Sequence, residues 1–243
     1  MLSTFETNSP LHIATAGLLF VSMGVASVLG RRWKDTPREL LFRRVWAWST
    51  IVWQIASVAF WAWPTHFDLA ESLPLHLCDI AAWIAPLALL TQKRWLRAVL
   101  YFWAIGLSTQ AFFTPVLAEG PAHPRFWFFW IGHTQIVGSA IYDVVALGFR
   151  PRAKDFVYGV LANAAFFAIV MPVNLIWGVN YGFVGNVTPI HPTLIDKLGP
   201  WPLRIVWIFL LVHTIMLALW LAWPLGETIR RRRSGGRADS SLN

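Results

Sequence analysis

The chain has 243 residues, of which 56% are hydrophobic and only 13% charged, with a mean hydropathy of +0.53. That profile excludes an ordinary soluble domain and is the composition of a membrane protein. The formal net charge of +8 falls where membrane topology needs it, so it calls for no nucleic-acid partner.

Apolar stretches of the ~20 residues that a spanning helix requires follow one another along the chain. They lie at about 11–30, 45–63, 74–91, 98–117, 126–149, 156–178 and 203–225. Each can satisfy its backbone as a helix in lipid, and none alternates with the period of two that a barrel strand requires. The expected fold is all-α: one polytopic seven-helix transmembrane domain over 1–225, then a basic, disordered tail over 226–243. No positive segment precedes the first apolar run, MLSTFETNSPLHIATAGLLF, and the basic cluster follows it. That order marks a first span, not a cleaved signal peptide.

Basic residues set the orientation. Seventeen lie after the odd-numbered spans, whereas only Arg125, Lys197 and Arg204 lie on the opposite side. The positive-inside rule then puts the N-terminus outside and the C-terminus in the cytoplasm, as in a multi-pass protein of a bacterial inner membrane. Trp61, Trp63, Trp127, Trp177, Trp201 and Trp223 fall near predicted helix ends, where an aromatic belt belongs.

Ionisable groups inside spans are costly and are functional candidates by default. Here they are His76, Asp79, His133, Asp143 and His213, joined by Cys78 and the amides Gln54, Gln110, Gln135, Asn163 and Asn174. At 1.5 Å per residue, Cys78 lies roughly 6 Å, and His133 and Gln110 roughly 10 Å, below the outer ends of their helices. Three helices thus bring reactive or polar groups to one level. Cys78, the single cysteine, reads either as a small buried hydrophobe or as a nucleophile near a helix N-terminus. His76 is two residues from it and points elsewhere on the helix. His76 and Asp79 are three apart and share a face, as a polar pair or as a carboxylate orienting a histidine. His133 matches Cys78 in depth, with Gly132, Gly138 and Ser139 allowing close helix approach. His213, near the midplane, reads as structural, and Gln110 and Asn174, the latter after Pro172, read as helix glue more than as catalysts. Asp143 points away from His133.

The loop from Val179 to Pro202, NYGFVGNVTPIHPTLIDKLGPWP after its first valine, is 24 residues long and reads as an ordered cover or as an ordinary loop. With Arg125, Lys197 and Arg204 it supplies the cations on that side, which suit a lipid phosphate.

LPLHLCDI at 73–80, WIGHTQ at 130–135, NYGFV at 180–184 and LIDKLGPWP at 194–202 resemble the pattern of the bacterial YwaF-type integral membrane proteins. These are similar to the animal transmembrane protein 164. The resemblance covers most of the chain and implies seven helices and a cysteine-dependent phospholipid acyltransferase. It implies Cys78 as nucleophile and His133 as its base, with His76, Asp79 and Gln110 in support. Arg125, Asn180, Tyr181, Lys197 and Arg204 are then the head-group and lid residues. The implied partners are phospholipid and lysophospholipid, with no metal and no other cofactor. Bacterial relatives often carry NYMFL where this chain has NYGFV, a change that falls in the lid.

Other classes are weighed on the same residues. A retinal receptor needs a lysine in its last span, and Lys34, Lys93, Lys154 and Lys197 all lie outside the spans. A zinc hydrolase would draw on His76, Asp79, His133 and His213, whose depths converge poorly. A non-enzymatic receptor, sensor or transporter is the remaining alternative, and it would tolerate loss of Cys78.

Overall fold

In a computed structural model, residues 3–187 and 194–239 are described. They form seven α-helices: α1 (Pro10–Arg32), α2 (Pro37–Ala62), α3 (Leu77–Thr91), α4 (Arg94–Leu100), α5 (Pro124–Val145), α6 (Ala153–Trp177) and α7 (Leu203–Asp239). Helix α4 continues without a break into a π-helix, Tyr101–Leu107, and a 3-10 helix, Ser108–Phe112. Helices α1, α2, α6 and the Leu203–Gly226 part of α7 are each long and apolar enough to cross a membrane.

Polar caps set the helix ends, which is why several differ from the apolar limits. The Ser9 hydroxyl accepts the His12 N–H, and Pro10 opens α1. In the same way Thr36 accepts the Glu39 N–H and Pro37 opens α2. Helix α2 therefore starts well ahead of the apolar run at 45, and Arg38, Arg43 and Arg44 stand on its first turns. Helix α3 starts later than expected, at Leu77, because Asp79 Oδ2 accepts the His76 N–H at 3.0 Å.

Helix α3 is the central element. Its 15 residues extend only about 22 Å at 1.5 Å per residue. Ala81, Ala82, Ala85 and Ala88 are buried against Leu96, Val99, Trp103, Ile136 and Ala140, small side chains that let neighbouring helices come close. Gly138 does the same for α5: a Cβ there would stand 3.0 Å from both Met23 and Trp46. Trp46 Nε1 donates to the neighbouring Ser139 hydroxyl.

The two ends of the bundle differ. At one, Arg97 binds Asp143, Arg94 binds Asp155, and Arg43 and Tyr142 bind Glu39. The Arg150 guanidinium lies 4.2 Å from the Trp223 ring centre at the same end. Arginines that follow the first, third and fifth apolar runs thus gather there. At the other end, the N-terminal segment pairs with the loop before α5 through the Phe5 N–H and the Ala118 carbonyl.

The last helix runs on past the apolar limit at 225. Its backbone is helical through Asp239, and its Leu203–Gly226 part is the stretch apolar enough to cross a membrane.

Candidate functional site

A cavity of about 1020 Å³ occupies the end of the bundle away from the ion pairs. Its wall includes His76, Cys78 and Asp79 at the start of α3, Gln110 from the 3-10 helix, and Arg125 and His133 from α5. Asn180 and His213 also line it, whereas Tyr181, Lys197 and Arg204 do not.

Cys78 is the second residue of α3, at the positive end of the helix dipole. Its thiol donates to the Ser108 hydroxyl, with Sγ and Oγ 3.5 Å apart. Ser108 is 1% exposed and begins the 3-10 turn that follows the π-helix. Sequence reasoning missed it. The local signal was a hydroxyl two residues before Gln110, and the change of helix type that aims it at Cys78 has no comparable signature.

His133 Nδ1 lies 2.7 Å from the Phe129 carbonyl. A carbonyl only accepts, so Nδ1 carries the hydrogen, and the neutral ring leaves its lone pair on Nε2. Asp79 and His133 share the cavity wall. Gly132, beside His133, borders open space within the cavity.

The His76 and Asp79 pair differs from a carboxylate orienting a ring. Asp79 takes the His76 backbone N–H, while the His76 ring packs edge-on against Tyr181 at 5.0 Å between centroids. Asp79 is thus a helix cap that also faces the cavity. Gln110 is exposed and stands in the same wall.

The loop after α6 is strapped down by its polar residues. Asn174 Nδ2 donates to the Tyr181 carbonyl and Oδ1 accepts the Tyr181 N–H, both at 2.8 Å. Tyr181 itself is fully buried, and burial holds its hydroxyl above its ordinary pKa. It remains a phenol, donating to the Leu69 carbonyl and accepting the Leu73 N–H. Asn180 Oδ1 accepts the Gly185 N–H. Arg204 is buried and donates to the Gly185 carbonyl, and Lys197 is exposed. Tyr181 and Arg204 therefore tie the loop to the bundle, and Arg125 is a cation in the cavity wall. Arg125 pairs with Glu71 at 3.0 Å and Glu119 at 3.2 Å. Residues 188–193 of the expected cover lie outside the described residues.

His213 faces the cavity from α7, with Nδ1 on the Phe209 carbonyl and Nε2 buried without a partner among the described residues. Asn174 holds the backbone of Tyr181 in the following loop, and Asp143 binds Arg97 at the far end. Among the described residues, no three His, Cys, Asp or Glu side chains are grouped so as to hold a metal ion.

The model of the TMEM164 family matches residues 6–223. No curated protein and no solved structure matches the chain.

Proposed function

The chain belongs to the TMEM164 family, and from that membership and the cavity around Cys78 we propose that this integral membrane protein is a phospholipid acyltransferase. The observation that carries the reading is the sharing of one cavity by Cys78, His133, Asp79 and Gln110. In this reading all seven helical columns cross the bilayer of a bacterial inner membrane. The N-terminus is outside and the basic end is cytoplasmic, as the charge distribution supports.

The chemistry is a double displacement at a carbonyl. A thiol that donates to Ser108 is protonated, so attack requires a base. His133 Nε2 takes the thiol proton, and the sulfur attacks the carbonyl carbon of a phospholipid sn-2 ester. As the ester C–O bond breaks, His133 returns the proton to the departing alkoxide, leaving an acyl thioester on Cys78 and a lysophospholipid. A second lysophospholipid hydroxyl then gives its proton to His133 and attacks the thioester, breaking the C–S bond and restoring the thiol. Gln110 and the first-turn N–H groups of α3 supply donors for the oxyanion. One ester replaces another, so the exchange needs no nucleotide.

The test is the intact mass of purified wild type beside Cys78→Ala after incubation with a defined phospholipid. The expected result is one fatty-acyl increment on wild type, released by neutral hydroxylamine and absent from Cys78→Ala. Wild type that stays unmodified and exchanges no labelled acyl chain would instead favour a non-enzymatic receptor or transporter.

A further inference from the structure

The cavity has two kinds of edge. Toward the end of the bundle its wall carries Asp68, Glu71 and Arg125, all charged. Along the side, it runs between α6 and α7, where the wall includes Ala164 and Phe167 from one helix and Val206, Phe209 and Leu211 from the other, with Asn163 and His213 as its polar members. The five apolar residues also face outward: Phe167 is 39%, Val206 53%, Phe209 58% and Leu211 46% exposed, and Ala164 is likewise exposed. A residue that both lines a cavity and lies open to the exterior marks a place where the two are continuous.

Contacts frame that opening on both sides. Nearer the basic end, Asn163 Nδ2 reaches Met216 Sδ at 3.1 Å, and Val160 packs with Val212 and Met216. Nearer the other end, Val170 and Tyr181 pack with Ile205 and Ile208. Both helices are long and apolar enough to be membrane spans, so the cleft between them faces hydrocarbon and not water. A mainly apolar cleft that opens on lipid and leads to a thiol suits one kind of occupant, a hydrocarbon chain.

We propose that the cleft between α6 and α7 is a lateral portal through which a single acyl chain passes from the bilayer to Cys78. This rests on the reading that lipid chains reach Cys78, but not on any transfer reaction there. The charged rim then holds the polar head of the same lipid while its chain lies in the cleft.

Cys78 is the single cysteine of the chain, so its alkylation can be followed without background. Protein reconstituted in phosphatidylcholine vesicles is treated with N-hexadecylmaleimide, which resides in the bilayer, or with the small N-ethylmaleimide, and the rate of labelling is read by intact mass. Ala164→Trp places an indole in the cleft and should slow the hexadecyl reagent at least about tenfold while leaving the ethyl reagent within about twofold. Phe209→Ala removes a ring from the cleft and should speed the hexadecyl reagent. Leu161→Trp, on the exposed face of α6 outside the cavity wall, should change neither. The proposal is overturned if Ala164→Trp and Phe209→Ala both leave the hexadecyl rate unchanged, if each alters both reagents equally, or if wild type reacts with neither. Acyl exchange absent from a wild type that shows the expected labelling pattern would instead overturn the transferase reading and leave the portal standing.

Discussion

Ser108 and Gly132 show what single positions contribute to the cavity. The Ser108 hydroxyl accepts the Cys78 thiol proton and can rotate to donate once that proton has left, because a hydroxyl both donates and accepts. Ser108→Ala is expected to slow iodoacetamide labelling of Cys78 by about tenfold, the worth of one hydrogen bond to a charged group. An unchanged rate would mean that the hydroxyl does not hold the thiolate. Gly132 offers a different lever, since a Cβ there meets open space. Gly132→Leu should fill the wall beside His133 and abolish acyl exchange, while the thermal midpoint in detergent stays within a few degrees of wild type. A large fall in the midpoint would show that the glycine serves packing and not the cavity.

At the scale of elements, the order of the apolar runs was legible in the sequence, as was a common level for Cys78, His133 and Gln110, all of which line the cavity. Hydropathy reports what lipid tolerates, and depth along a helix follows from a fixed rise per residue. Helix ends were less legible, because Thr36 and Asp79 act through single hydrogen bonds that carry no hydropathy signal. The fourth column was not legible at all beyond its location. An apolar run over 98–117 turns out to be α-helix, π-helix and 3-10 helix in succession, ending at Phe112, and it is that succession which presents Ser108. The roles of Tyr181 and Arg204 were hidden for another reason: both bind backbone carbonyls distant in sequence. The loop they anchor depends on Asn174, whose amide makes two hydrogen bonds to the Tyr181 backbone. Asn174→Ala leaves a buried N–H and carbonyl without partners and should destabilise the protein by about 1–3 kcal/mol. Amide hydrogen exchange over residues 179–187 should rise more than exchange in α3. A uniform rise across the bundle would show instead that the loop has no separate stability.

The whole molecule separates its stability from its candidate chemistry. Ion pairs with buried carboxylates lie at the basic end, and the cavity lies at the other. Arg97 and Asp143 illustrate the first, with a carboxylate side chain 2% exposed and a guanidinium 17% exposed at 2.8 Å. Removing one member of such a pair leaves an uncompensated charge, a loss of about 3–5 kcal/mol, whereas replacing both with apolar side chains of similar size is often neutral or stabilising. Arg97→Ala should therefore lower stability against denaturant in detergent far more than Cys78→Ala, which removes only a partly exposed thiol. Arg97→Met combined with Asp143→Leu should recover most of the loss, since the orphaned carboxylate is gone. The acyl-exchange rate per folded molecule should be little changed in the double variant, because neither residue lines the cavity. If the double variant folds but exchanges no acyl chain, the two ends are coupled, and the basic end takes part in the reaction cycle as well as in holding the bundle together.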